Sequence, residues 1–108
     1  MWLALSLWLA SRGTERPTVS VIPRFAVAPS AVRITARPNG ATRGWCLDIS
    51  ADDSAYYRAS CSEAEGSVQP IYDMIPPGHY VVRYVVTYST GVTRFAETSF
   101  CIGGESPC

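Results

Sequence analysis

Four cysteines, one histidine and a short run of aspartates are the residues of this chain whose chemistry reaches beyond packing. The histidine, His79, directly follows a Pro76-Pro77-Gly78 turn. Nucleophilic catalysis would need it hydrogen-bonded to a positioned serine and oriented by a carboxylate. Serines abound, but none stands in a Gly-x-Ser-x-Gly elbow. His79 is therefore expected to be a solvent-facing turn residue, and the chain not an enzyme. Asp48, Ser50, Asp52 and Asp53 lie close together and could offer hard oxygen ligands to Ca²⁺. The run lacks the glycine and the closing glutamate of an EF-hand loop. Aspartates at a hairpin tip ordinarily serve the turn itself. No metal and no cofactor are expected, and Asp48, Asp52 and Asp53 are the candidates should a cation bind.

The cysteines are Cys46, Cys61, Cys101 and Cys108, and no pair has the Cys-x-x-Cys spacing of zinc or redox sites. An even count in a small domain reads as two disulfides in an oxidising compartment. Three pairings are possible, and local geometry favours one. Residues 44–50 and 55–61 read as strands around the turn Ala51-Asp52-Asp53-Ser54. A hairpin centred between Asp53 and Ser54 sets Cys46 opposite Cys61. In a non-hydrogen-bonded antiparallel pair their Cα atoms would be about 4.5 Å apart, within disulfide range. Cys101 and Cys108 would then close a short loop.

The remaining elements follow from pattern. At 108 residues the chain supports one domain. It is 47% hydrophobic and 17% charged, too apolar for a disordered tail. Nine arginines, no lysine and nine acidic residues leave no net charge, which argues against nucleic-acid binding driven by phosphate. Val19 to Val27 is strand-like but contains Pro23, so it is an edge strand or one that breaks and switches sheets. In Ala31 to Arg37, Val32, Ile34 and Ala36 alternate with Arg33, Thr35 and Arg37. Trp45, Leu47 and Ile49 share a face of the next strand. Val68 to Met74 reads as a further strand, carrying Pro70. His79 to Tyr88 is dense in β-branched and aromatic residues, and Val92 to Ile102 returns after Ser89-Thr90-Gly91. A two-residue loop there would turn Phe95 inward, and a three-residue loop Phe100. Turn signals every 8–12 residues or so point to an antiparallel β-sandwich.

Trp2 to Ala10 is apolar apart from Ser6. As a helix it would cover roughly 14 Å against a bilayer core of about 30 Å, so no stable membrane span is expected. It suits the apolar region of a signal peptide cut after Gly13, with Ser11 and Gly13 as the small residues. No basic residue lies between Met1 and the run, so a short hydrophobic anchor or an ordinary packed terminus are the alternatives. The expected organisation is a signal peptide or hydrophobic segment over 1–13, a linker over 14–18, a sandwich over 19–102 and a disulfide loop over 103–108. Secretion, a periplasmic location or display at the cell surface follows.

The stretch from Pro77 to Val86 (P-G-H-Y-V-V-R-Y-V-V) resembles the p-G-x-Y-x-V-x-x-x-V segment of immunoglobulin-like sandwich domains. It looks most like the polycystic-kidney-disease-type and fibronectin type III domains of exported bacterial proteins. Trp45, Asp48 and Asp52-Asp53 loosely match the W-D-x-G-D-G stretch of the former, without its glycines. The resemblance, over about residues 18–102, implies an immunoglobulin-like sandwich of about seven strands. It implies a spacer, adhesion or binding role and no catalytic residues. It also points Tyr80, Val82, Tyr84 and Val86 inward, and period two then sends Val81, Arg83, Val85 and Thr87 outward. Two valines flanking an arginine make a candidate contact face, unless the N-terminal segment covers it with Trp2 and Trp8. Tyrosine and arginine are also enriched at binding hot spots. The expected partner is an unidentified protein or glycan. The function expected is a non-enzymatic structural or interaction module. The alternatives are a carbohydrate-binding module or a small secreted inhibitor presenting the Cys101–Cys108 loop.

Export is directly testable. Residues 1–20 fused to a reporter that works only in the periplasm should carry it there. A reporter that stays cytoplasmic, also with any upstream start restored, would remove the signal-peptide assignment.

Overall fold

The computed structural model describes residues 16–52, 54–63, 68–105 and 108. The expected signal peptide, Trp2, Trp8 and Asp53 lie outside them. The alternating runs become eight strands: β1 (Thr18–Ile22), β2 (Phe25–Val27), β3 (Ser30–Arg37), β4 (Thr42–Ala51), β5 (Tyr57–Ser62), β6 (Ile71–Ile75), β7 (Gly78–Tyr88) and β8 (Thr93–Gly103). No helix occurs among the described residues. The strands form two sheets, β1-β3-β6 and β2-β8-β7-β4-β5. These close on one core as the expected β-sandwich.

Eight strands stand where about seven were expected, because the Val19–Val27 stretch is two. Pro23 has no N–H for a ladder. Pairing of β1 with β3 stops at Ile22, and the chain crosses to the other sheet, where β2 runs parallel to the end of β8. Arg24 O accepts Cys101 N–H at 2.8 Å and fixes the crossing. One parallel pair thus sits in an otherwise antiparallel sandwich. β1 also starts at Thr18, inside the expected linker, and β8 runs one residue past Ile102. Proline likewise delays β6, expected from Val68. Val68 and Ala36 exchange two bonds of 2.9 Å, and Pro70 O accepts Ile34 N–H at 3.1 Å. Pro70 cannot donate in return, so the regular strand begins at Ile71.

Alternation sorts the side chains. Val32, Ile34, Ala36, Leu47, Ile49, Tyr80, Val82, Tyr84 and Val86 are all buried between the sheets. The β7–β8 loop is the three-residue form. Tyr88 N–H donates to Val92 O and Gly91 N–H to Tyr88 O, each at 2.8 Å. Gly91 takes φ +91°, the left-handed position such loops need. Phe100 is therefore buried at 4% exposure, while Phe95 faces out at 59%.

Two of the three core tyrosines of β7 bond a proline carbonyl and the third does not. Tyr80 OH donates to Pro76 O at 2.7 Å and closes the corner into β7; its ring stacks on Phe100, centroids 4.8 Å apart. Tyr88 OH donates to Pro38 O. Tyr84 OH is buried with no partner among the described residues. Its burial pushes the phenol up to about 12.

Both expected disulfides are present. Cys46 and Cys61 face each other across β4 and β5, with Cα atoms 4.1 Å apart. Their sequence separation of 15 corresponds to about 3 kcal/mol of stabilisation in the chain-entropy model. Cys101 and Cys108 close the C-terminal loop. Two disulfides fit an oxidising compartment. Among the described residues no helix is long and apolar enough to cross a membrane.

The tyrosines give a paired prediction. Tyr88→Phe strands the Pro38 carbonyl and should cost about 1–2 kcal/mol. Tyr84→Phe removes an unpartnered buried hydroxyl and should be neutral or stabilising by up to about 1 kcal/mol. The raised Tyr84 phenol adds a pH dependence. The folded state holds that proton more tightly than the unfolded chain, so its contribution is fully present below pH 10. It is lost as pH rises through about 12. Tyr84→Phe should flatten part of this alkaline loss. Urea unfolding of the three proteins at neutral and alkaline pH checks both. A Tyr84→Phe penalty equal to that of Tyr88→Phe would show that the Tyr84 hydroxyl is bonded.

Candidate functional site

The outer face of the five-stranded sheet carries a cluster of charged and aromatic side chains. Its layout follows from strand registers. One row across the sheet reads Arg58 (β5), Asp48 (β4), Arg83 (β7), Glu97 (β8). The signs alternate plus, minus, plus, minus. The next row reads Cys61, Cys46, Val85, Phe95. On the other side of the charged row lie Ser50, Val81 and Ser99, with Tyr56 just ahead of β5.

A bulge makes these rows possible. Cys61 and Arg58 are three residues apart, so a regular strand would send them to opposite faces. The β4–β5 register shifts by one between Leu47 and Asp48. The extra residue, Ala59, packs toward the core, and Cys61 and Arg58 both point outward. The hairpin is thus centred as expected at the cysteines and slipped by one beyond them.

Arg83 is the focus of the cluster. Its guanidinium lies 4.2 Å from the Tyr56 ring centroid and 5.0 Å from that of Phe95. Its Nε donates to Glu97 Oε1 at 2.8 Å, and its Nη2 pairs with the same oxygen at 2.6 Å. The hydrogen bond to Glu97, foremost, raises its pKa above the ordinary arginine value. Two rings and a carboxylate therefore hold one charged head group in place while its side chain remains 35% exposed. Arg58 is held similarly, donating from Nε and Nη2 to the two Asp48 oxygens at 3.0 and 3.3 Å. A shallow groove of about 600 Å³ lies over the Cys46–Cys61 bridge, bordered by Arg43, Arg58, Glu63, Val85 and Thr87.

The four residues expected outward, Val81, Arg83, Val85 and Thr87, all lie on this face, half-buried among their cross-strand neighbours. Thr87 Oγ1 sits 3.3 Å from Thr93 Oγ1. Sequence reasoning missed Tyr56, Phe95, Glu97 and the Arg58–Asp48 pair as members of the face. The loop length after Tyr88 was the available signal for Phe95 and Glu97; the bulge concealed Arg58.

Of the aspartates considered for a metal, Asp48 and Asp52 serve the chain itself, and Asp53 lies outside the described residues. Asp48 is engaged by Arg58. Asp52 accepts His79 N–H on Oδ1 at 2.9 Å, and its own N–H donates to His79 O at 2.7 Å. It takes φ +49°, a left-handed turn position that aspartate tolerates. A Cβ on Gly78 would come within 3.0 Å of the Asp52 carboxylate, so that glycine admits the clamp. Ser50 Oγ donates to Ser54 O at 2.6 Å. His79 Nε2 lies 3.8 Å from Cys101 Sγ, at the buried end of the C-terminal disulfide.

The two valines of β7 provide a test of the face assignment. Val85→Asp, beside exposed Phe95, should change stability by no more than about 1 kcal/mol. Val86→Asp, fully buried, should cost several kcal/mol because an unpaired carboxylate enters the core. Equal losses in thermal or urea unfolding would mean that Val85 belongs to the core.

Comparison with protein-family models, with curated proteins and with solved structures finds no match to this chain.

Proposed function

We propose that the chain is an exported, non-enzymatic sandwich module whose outer five-stranded face is a protein-contact surface, used in a periplasmic, secreted or cell-surface setting. The observation that carries this is Arg83, gripped by Tyr56, Phe95 and Glu97 yet still reachable from solvent. Arginine and tyrosine dominate interface energetics. A guanidinium already immobilised loses little entropy on binding. The apolar row beside it, ending in a 59% exposed Phe95, supplies surface worth removing from water. Both disulfides support the oxidising setting.

A glycan platform fits less well. It asks for two or three coplanar exposed rings, whereas Tyr56 and Phe95 both pack on one guanidinium. An inhibitory loop fits less well too, since Cys101 and Ile102 at its base are buried.

The test immobilises the full oxidised chain and exposes it to the exported proteins of its own host. Arg83→Glu should weaken capture of a bound protein at least about tenfold, as losing a central charged contact typically does. Arg37→Glu, exposed on the opposite sheet, should leave capture unchanged. Capture indifferent to Arg83→Glu, or abolished only by Arg37→Glu, would reject the face.

A further inference from the structure

The charged row has a symmetry that identifies a partner. Read from β5 to β8 it is Arg58, Asp48, Arg83, Glu97. Reversed, every sign is exchanged. Building on the contact-face reading, we propose that this face binds a second copy of the same chain, about a two-fold axis that runs along the strands between β4 and β7.

Two sheets placed face to face by that axis bring β5 of one copy over β8 of the other, and β4 over β7. Arg58 meets the second copy's Glu97, and Asp48 meets the second copy's Arg83. Symmetry repeats both contacts, so all four charges on each side face an opposite sign. An axis running across the strands would instead set Arg58 on Arg58 and Glu97 on Glu97, which like-charge repulsion opposes. Carboxylates retain lone pairs beyond those used by their own arginine, so the existing Arg58–Asp48 and Arg83–Glu97 bridges persist within a larger network.

Side-chain size obeys the same operation. In the apolar row, exposed Phe95 comes over the Cys46–Cys61 bridge at its Cys61 end, where the groove of about 600 Å³ lies. Val85 comes over Cys46. The one large exposed ring thus meets the open groove, as interdigitating faces require. Aligned sheets pack at roughly 30° because of twist. The Asp48–Arg83 contacts beside the axis are least displaced by it.

The area is adequate. β7 and β8 are 11 residues long, and four strands at about 4.8 Å spacing give a face of about 600–700 Å². A standard interface takes about 800 Å² from each partner. The dimer should accordingly form and dissociate over the micromolar concentration range.

Paired charge reversal is a decisive experiment. Sedimentation velocity on the full oxidised chain, from about 1 to 300 µM, should show a monomer–dimer equilibrium. Arg58→Glu sets two carboxylates against each other, because the residue it faces across the axis is Glu97. Glu97→Arg likewise sets two guanidinium groups against each other, because it faces Arg58. Each variant alone should therefore lose at least about tenfold in dimer affinity. In a heterodimer of the two variants, one Arg58–Glu97 contact is native and the other has both signs exchanged. An equimolar mixture should therefore recover a heterodimer within about threefold of the original affinity. Circular dichroism establishes that the variants are folded. A chain monomeric throughout that range overturns the dimer. So does self-association untouched by either reversal, which would place it on another surface such as the N-terminal segment. Loss in both variants without recovery in the mixture overturns the two-fold register. The contact-face reading is judged separately. Capture of another protein that is lost in Arg83→Glu, from a chain that stays monomeric, would leave that reading standing with a different partner.

Discussion

Strand β7 lies at the centre of the larger sheet, and an extended backbone must send alternate side chains to opposite sides. That rule, applied over eleven residues, organises the molecule. Tyr80, Val82, Tyr84 and Val86 go to the core, so Val81, Arg83, Val85 and Thr87 have no choice of face. β4 and β8 both take their registers from this strand. A slip of one residue would bury Arg83 and expose three tyrosines, Tyr80, Tyr84 and Tyr88. Core and contact face are therefore two sides of one alignment, and a change that loosens the first disorders the second.

What holds the alignment is local chemistry at the two ends of β7. At its start, the Asp52 carboxylate and backbone bracket His79, and Tyr80 ties back to Pro76. At its end, Tyr88 ties to Pro38 from inside and Gly91 turns the chain into β8. The Cys46–Cys61 bridge fixes the β4–β5 pairing next door. The alternation is thus pinned at both termini and at a flank.

Much of this was legible in the sequence. Apolar periodicity gave the faces of β3 and β4 because burial of one side dominates strand energetics; β7 carries valines on both faces, and its inward set was implied by the resemblance rather than by its period. Opposed cysteines in a hairpin were readable because the disulfide tolerates only a narrow Cα separation. Three features were not. The β4–β5 bulge adds a residue without any glycine or proline to announce it. The stacking of Tyr56 on Arg83 reaches from the start of β5 to β7 across an intervening strand, a relation that no local pattern encodes. The crossing at Pro23 was narrowed to two possibilities, and only the pairing partners of β1 and β2 separate them.

The prolines that interrupt the smaller sheet have a further effect. That sheet is ordered β1-β3-β6, so its two edges are β1 and β6. Pro23 terminates one and Pro70 precedes the other. An incoming strand seeking to extend either edge would meet a missing donor at the point where pairing would otherwise continue. Both edges are thereby shortened against templated strand addition, the route by which exposed sheets polymerise. A small β-rich chain gains by such protection wherever it is concentrated. Here it comes from two pyrrolidine rings rather than from lysines, which this chain does not contain.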